Sequence, residues 1–190
     1  MAENNGIAKM PDYRTIVQKT GAAYIPLVEK QISNGGSVDL YQHLCMENAL
    51  TMMHETAVGA GLEGISALQK SEIMQILQQV ATLRLNAFSR PRECYFQTRK
   101  KKQPDGNWTT SIEMGIEGDG NDVILRNFGH GVEEVYPYWD VHVDDEFTYP
   151  VHHGIDVEPP TWKRCGTGKY ARVVYPVRFT DGTVRYFISE

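Results

Sequence analysis

The sequence lacks any run of about 18 consecutive apolar residues, so nothing in it predicts a transmembrane helix. Its first residues, MAENNGIAKMPDYR, contain neither the apolar segment nor the basic flank of a signal peptide. Cysteine is scarce: Cys45, Cys94 and Cys165 are widely spaced, odd in number, and no two of them have CxxC spacing. Together these absences predict a soluble intracellular protein whose thiols are reduced.

The motifs of nucleotide-dependent and hydrolytic enzymes are also missing. GDGND at 118–122 is too short for GxGxxG, and GTGK at 166–169 lacks the upstream glycine and the hydroxyl residue of a phosphate-binding loop. There is no GxSxG, no helical HExxH, and no cysteine with an obvious base beside it. The sequence predicts no catalytic centre and therefore favours a protein that is not an enzyme.

The 190 residues have an ordinary globular composition, with 41% apolar and 23% charged residues, which is enough for a well-cored domain. Helical periodicity of apolar residues predicts three helices in the first half of the chain, at 12–32, 39–58 and 71–83. We expect Pro26 to break or restart the first helix, and Ser37 or Asp39 to cap the second.

The pattern changes to alternation after residue 86. ECYFQTRK and WTTSIEMGI, separated by the turn PDGN at 104–107, predict a β-hairpin, and a short helix at 120–127 follows, starting at Asp119 or Gly120. The remaining strands are predicted in VEEVYPYWDV, DEFTYPVH, KYARVVYPVRF and TVRYFIS. This order predicts an α+β fold in which N-terminal helices (1–64) precede a core (65–190) made of the hairpin, the helix and a small twisted antiparallel sheet. We expect that core to be one compact unit.

Charge is distributed unevenly along the chain. The net charge is −5, but residues 84–112 carry +5, residues 113–158 carry −11, and residues 159–190 carry +4. Salt screens surface charges over ~10 Å at about 0.1 M ionic strength, so one basic face can attract an anion while an acidic face lies elsewhere.

Two basic segments with aromatic neighbours predict a nucleic-acid surface. Cationic side chains neutralise phosphates, and aromatic rings stack on bases of any sequence. The same charges would also suit a solvated hairpin tip. The candidate DNA-binding residues are Arg84, Arg90, Arg92, Tyr95, Arg99, Lys100, Lys101, Lys102, Arg126, Trp162, Lys163, Arg164, Lys169 and Arg172.

Histidines and carboxylates offer a metal site as an alternative. Asp140, His142 and Asp144 alternate, so on a strand they would share one face, and His152 and His153 follow shortly after. An exposed acidic loop is the simpler interpretation of the same residues.

A second set of carboxylates, Glu113, Glu117, Asp119 and Asp122, could hold metal ions against a phosphate, as in a metal-dependent nuclease. Carboxylates near a helix N-terminus also serve as caps and as partners of the helix dipole. We favour the second interpretation.

The order of motifs over residues 65–190 resembles the RecT/Redβ superfamily of phage single-strand annealing proteins. ATLRLNAFSRPRECYFQ is similar to that family's turn before a hairpin, and IEMGIEGDGNDVILRNFG to its glycine-led helix. VEEVYPYWDVHVDDEF and KYARVVYPVRFTDGTVRYFIS resemble its later strands. The chain departs from the family in ending at Glu190, in its heavy acidic block, and in the basic turn at Arg90–Arg92.

The resemblance implies ATP-independent binding of single-stranded DNA and annealing of complementary strands in homologous recombination. It implies a homo-oligomeric ring or helical filament in which neighbouring subunits pair acidic and basic faces. It also implies no cofactor, with Mg²⁺ able to act as a DNA counterion, no membrane partner, and a phage or prophage protein in the cytoplasm of a bacterial host. The alternatives are a metal-dependent nuclease acting on DNA, through Glu113, Asp119 and Asp122 or through the region of His142, His152 and His153, and an acidic protein that binds a basic host partner.

Overall fold

The computed structural model describes residues 15–33, 37–102, 106–166 and 168–190, and its fold is α+β with antiparallel strands, as the sequence predicts. The chain divides into two compact units, Met1–Gly120 and Asn121–Glu190, and the predicted boundary after residue 64 falls inside the first. None of the helices in the described part of the chain is long and apolar enough to cross a membrane.

The elements follow the predicted order. The helices are α1 (Ile16–Ile32), α2 (Leu40–Gly59), α3 (Lys70–Leu83) and α4 (Gly118–Phe128), with a 3₁₀ turn at Gly64–Ala67. The strands are β1 (Cys94–Lys102), β2 (Trp108–Ile116), β3 (Val132–Val135), β4 (Trp139–His142), β5 (Glu146–Thr148), β6 (Val151–His153), β7 (Asp156–Glu158), β8 (Thr161–Lys163), β9 (Tyr170–Phe179) and β10 (Val184–Ser189). Residues 12–14 of the first predicted helix, 104 and 105 of the predicted hairpin turn, and 167 of the GTGK segment lie outside the described residues, as do residues 34–36 and 103.

Side-chain caps explain where α1 and α2 begin. The Asp39 carboxylate accepts from the Gln42 amide at 2.9 Å, and the Gln42 side chain accepts in return from the Asp39 amide at 3.1 Å. This capping box confirms Asp39 as the cap. Thr15 and Gln18 form the same pair at α1. The prediction that Pro26 interrupts α1 is wrong: the helix continues through it, because Pro26 is on the exposed side, where the carbonyl deprived of its donor is open to water.

The core of the first unit lies between α1, α2 and α3. Its largest fully buried side chains are Val28, Cys45, Met46, Leu50, Met53, Ile65, Leu77, Val80 and Leu85. The β1–β2 hairpin covers this core with the buried side chains of Phe96 and Ile112. In this arrangement α2 contacts β1 and α3 contacts β2. The free edge of β2 is protected at one point by Glu72, whose carboxylate accepts from the Ile112 amide at 3.2 Å.

The two buried cysteines should be chemically inert. Cys45 and Cys94 have no exposed surface, and burial, followed by the negative charge of Glu93, raises the pKa of Cys45 to about 12 and that of Cys94 to about 11. The thiolate is the reactive form, so only the exposed Cys165 should react quickly. We expect a disulfide reagent at pH 8 to titrate one fast thiol in the native protein and three after denaturation. Any fast thiol in Cys165→Ser would contradict this assignment.

Gly120 explains the Gly-Asp-Gly start of α4. A β-carbon at Gly120 would lie 2.0 Å from the Glu93 carbonyl oxygen and 2.9 Å from the Ile116 Cγ2 atom. That carbonyl cannot withdraw easily, because it already accepts from the Glu117 amide at 3.0 Å.

We therefore expect Gly120→Ala to destabilise the first unit by about 2 kcal/mol or more through overpacking, despite the better helix propensity of alanine. Gly118→Ala is the matched control, since nothing lies within 4 Å of a β-carbon there. Urea denaturation of both variants measures the difference, and equal midpoints would contradict the expectation.

The second unit is built around β9. This strand pairs with β10 on one side, and β3 and β4 pair with successive parts of its other side, all antiparallel. Its small core contains Val135, Val141, Val174 and Val177. Two segments that were each predicted as one strand form two: VEEVYPYWDV contains β3 and β4, and DEFTYPVH contains β5 and β6. The short strands β7 and β8 were not predicted.

Candidate nucleic-acid interface

The end of the β1–β2 hairpin carries four consecutive cations, Arg99 to Lys102, all exposed. Lys102 is paired across the strands with Trp108, whose side chain is 65% exposed. We refer to Arg99–Lys102 and Trp108 as the cationic arm. Lys100, Lys101 and Lys102 make no ion pair with any residue that the structure describes, whereas Arg99 lies 2.8 Å from Glu113. Because both members of that pair are at least half exposed, it is worth no more than about 1 kcal/mol.

The strand period divides the cationic arm into two faces. Lys100, Lys102 and Trp108 project to one side, with Lys102 directly across from Trp108 and Lys100 diagonal to it, so two lysines share a face with an exposed indole. Trp108 was missed by the sequence reasoning, although counting back from the predicted turn would have paired the first residue of β2 with the last of β1. Cations beside an exposed ring are the combination that holds a phosphate backbone and stacks on a base.

The opposite face of the hairpin carries Tyr95 and Lys101. Tyr95 lies flat over Gly115, where an added β-carbon would be 2.2 Å from the ring, so one face of this predicted stacking residue is covered. Lys101 borders a groove of about 350 Å³ between α3 and β2. The other polar residues along this groove are Glu72, Gln75, Gln79, Ser111 and Glu113.

The loop before β1 holds Arg84, Arg90 and Arg92. Asn86 and Glu93 fix its shape, because the Glu93 carboxylate accepts from the Asn86 amide at 2.6 Å. Arg90 and Arg92 are exposed and have no ion-pair partner in the described part of the chain. The loop thus presents two cations on an ordered backbone.

Arg84 is engaged within the protein. It ends α3 in the left-handed conformation (φ 59°, ψ 38°), a position that usually favours glycine. Its guanidinium lies 2.5 Å from the Asp39 carboxylate and 5.5 Å from the centre of the Tyr41 ring. The Gln42 amide and then the Arg84 guanidinium hold the pKa of Asp39 below its ordinary value. Arg84 therefore joins the end of α3 to the start of α2.

Two of the six candidate residues of the second unit, Trp162 and Arg172, are also engaged, and Lys163 forms an exposed ion pair like that of Arg99. The Trp162 indole stacks on Trp139 with ring centres 5.7 Å apart, and Lys163 lies 3.0 Å from Glu146. Arg172 lies over the Phe147 and Tyr149 rings, at 5.0 Å and 4.8 Å from their centres. The other three, Arg126, Arg164 and Lys169, are exposed and form no ion pair within the described residues.

The prediction that Asp140, His142 and Asp144 share one strand face is wrong for Asp144. The β4 strand ends at His142 after a register shift, and Asp144 lies in the following turn. The cause is Asp145, whose carboxylate accepts from the His142 amide at 2.9 Å and turns the chain. The His142 ring is buried against Tyr170, with ring centres 4.8 Å apart.

No group of three or more His, Cys, Asp or Glu side chains in the described parts of the chain is placed to hold a metal ion. Glu113, a candidate ligand of the nuclease interpretation, is paired with Arg99. Asp119 lies in the first turn of α4, where the helix dipole favours a negative charge. The geometry therefore gives no support to the carboxylate set as a metal centre.

Comparison of the chain with protein-family models, with curated proteins and with solved structures gives no significant match.

Proposed function

We propose that this protein binds single-stranded DNA and anneals it to a complementary strand as a homo-oligomer, without hydrolysing a nucleotide. The observation that supports the binding step is the cationic arm, in which Lys100 and Lys102 share one face with the exposed Trp108. The annealing step, the oligomer and a bacterial cytoplasm as the site of action come from the resemblance of residues 65–190 to phage annealing proteins.

Physical chemistry connects the arm to annealing. Two complementary strands repel each other through their phosphates, and a protein that neutralises part of this charge lowers the barrier to their encounter. Base pairing then supplies the free energy, so no nucleotide-binding loop is needed. A two-stranded ribbon also fits the major groove of a duplex, which allows the same arm to remain on the annealed product.

The direct test mixes two complementary oligonucleotides labelled with a fluorophore and a quencher, at 0.1 M salt with chelator present. We expect the protein to accelerate quenching at least tenfold over buffer, and no acceleration would contradict the proposal. In a parallel reaction with Mg²⁺, Mn²⁺ or Zn²⁺ in place of chelator, a ladder of cleaved products would instead favour a nuclease. Absence of DNA binding even at 20 mM salt would favour the host-interaction alternative.

The exposed indole gives a sharper prediction for the binding step. Base–aromatic stacking contributes about 1–3 kcal/mol per base, so we expect Trp108→Ala to weaken binding to oligo-dT about tenfold or more. Trp108→Phe keeps a ring and should recover most of the affinity, which fluorescence anisotropy would measure. If the Trp108→Ala and Trp108→Phe variants bind oligo-dT equally well, the ring at this position does not contact a base.

A further inference from the structure

A cluster of exposed aromatic side chains lies on one face of the β4–β9–β10 sheet in the second unit. It consists of Tyr138, Tyr175 and Phe187, which are 51%, 37% and 53% exposed. Tyr175 is paired with Phe187 across β9 and β10, and the Tyr138 and Tyr175 ring centres are 5.6 Å apart. We refer to these three residues as the aromatic patch. Three contiguous exposed rings are costly in water and indicate a surface that another molecule covers.

Carboxylates border the aromatic patch. Asp140 lies two residues after Tyr138 and is paired with Val173, two residues before Tyr175, so it belongs to the same sheet face. Partial burial raises the pKa of Tyr175, and the negative charge of Asp122, the neighbouring Tyr138 and then Asp140 raise it further. The rings therefore stand in a negative field.

This combination selects the charge of the partner. A phosphate backbone would be repelled by Asp122 and Asp140, so the rings are poorly placed to stack on nucleic-acid bases. A guanidinium or ammonium group is attracted both by the faces of aromatic rings and by carboxylates. The partner that fits is a cationic peptide segment.

We propose that the aromatic patch binds the cationic arm of a second copy of this chain. The charges are complementary: residues 99–102 are four consecutive cations, while the 113–158 region that supplies Asp122, Tyr138 and Asp140 carries −11. A contact between two different surfaces of identical chains is heterologous, and it generates a ring or a filament according to whether the rotation closes. Side chains of a strand alternate, so an arm seated by one face keeps the other for DNA. This inference rests on the homo-oligomer in the proposed function and not on its DNA-binding step.

Zero-length cross-linking tests the contact. A carbodiimide joins a lysine directly to a carboxylate, and mixing ¹⁴N- and ¹⁵N-labelled protein distinguishes links between copies from links within one. We expect isotope-mixed links at low salt between Lys101, which lies on the face of the arm opposite Lys100, Lys102 and Trp108, and Asp122 or Asp140. The double variant Tyr175→Ser/Phe187→Ser should lower their yield at least fivefold and weaken self-association about tenfold in sedimentation. Ile155→Ser is the matched control, since Ile155 is 99% exposed on the β6–β7 hairpin, and it should change neither value.

The outcomes separate this inference from the DNA-binding proposal. A protein that binds DNA but shows no isotope-mixed links, or only links within one chain, overturns the inference and leaves DNA binding standing. Mixed links in a protein that does not bind DNA overturn only the proposed function. If circular dichroism shows that the double variant is unfolded, the yield of isotope-mixed links is measured instead in Asp140→Asn and in the presence of a competing free peptide of residues 97–102. Undiminished links in both would overturn the inference.

Discussion

Replacing Lys100, Lys101 and Lys102 together with glutamine is expected to lower the affinity for single-stranded DNA about 100-fold at 0.1 M salt. Each neutralised phosphate contributes about −0.7 to the slope of log K against log salt on single strands. Three lost contacts therefore reduce that slope by about 2. Because this electrostatic contribution vanishes near 1 M salt, a slope change of about 2 corresponds to about two decades of affinity at 0.1 M.

The control is a variant with the same change in net charge placed elsewhere on the first unit. Lys19, Lys30 and Lys70 are exposed on α1 and at the start of α3, and their triple replacement with glutamine should change the affinity less than threefold. Anisotropy titrations of labelled oligo-dT from 50 to 400 mM salt would provide both slopes. Equal losses in the two variants would mean that net charge, and not the cationic arm, governs binding.

Removal of the Asp145 carboxylate is expected to produce the largest loss of stability in the second unit. The side chain has no exposed surface and accepts hydrogen bonds from four donors. These are the backbone amides of His142, Cys165 and Gly166 at 2.9, 2.9 and 3.1 Å, and the Trp162 indole at 2.9 Å. It thereby joins the end of β4 to the loop that follows β8.

We expect Asp145→Ala to lower the melting temperature of the second unit by about 10 °C, because four donors lose their acceptor at once. Asp145→Asn should have a smaller effect in the same direction, since it replaces one acceptor oxygen with a donor. The amides of Cys165 and Gly166 should lose their protection from hydrogen exchange in both. Asp144→Asn is the control, because Asp144 is exposed, and it should shift the melting temperature by less than about 2 °C. A shift as small as this in Asp145→Ala would contradict the role of the carboxylate.

The stability difference between wild type and Asp145→Asn should depend on pH. Hydrogen bonds from the His142 amide first, then from Trp162, Cys165 and Gly166, hold the pKa of Asp145 far below its ordinary value of about 3.9. The stabilisation is therefore fully present above the unfolded-state pKa and disappears as the pH falls below about 4 towards the folded-state pKa. Melting curves recorded between pH 7 and pH 3 should show that the melting temperatures of the two proteins approach each other only at the acidic end. A difference that is constant over this range would contradict the linkage.

Local chemistry was readable from the sequence. Asp39 was one of two predicted caps, with Ser37, because a cap carboxylate bonds to an amide three residues away. The hairpin strands were found because alternation and a turn lie within 24 residues, from Glu93 to Ile116. The exposed run from Arg99 to Lys102 was likewise predicted, since nothing distant is required to expose a hairpin end.

The sequence could not distinguish the candidate DNA-binding residues that are bound within the protein from those that are free to contact DNA. Arg84 is held by Asp39, 45 positions away, and the Trp162 indole donates to Asp145, 17 positions away. Composition cannot distinguish a cation or ring that has a partner within the protein from an exposed one, because packing brings the partner from a distant part of the chain. The aromatic patch was missed for the same reason: Tyr138, Tyr175 and Phe187 become neighbours only through the β4–β9–β10 pairing.

By itself, then, the sequence determined the fold class, the order of elements, the run of cations from Arg99 to Lys102 and the uneven charge, all of which depend on residues close together in the chain. The tertiary structure alone decided which cations remain available, that Asp145 is a buried acceptor, and that three separated rings share one surface. Those properties depend on long-range pairing of strands and helices, which is fixed by the burial of apolar surface and the need to satisfy polar groups within it.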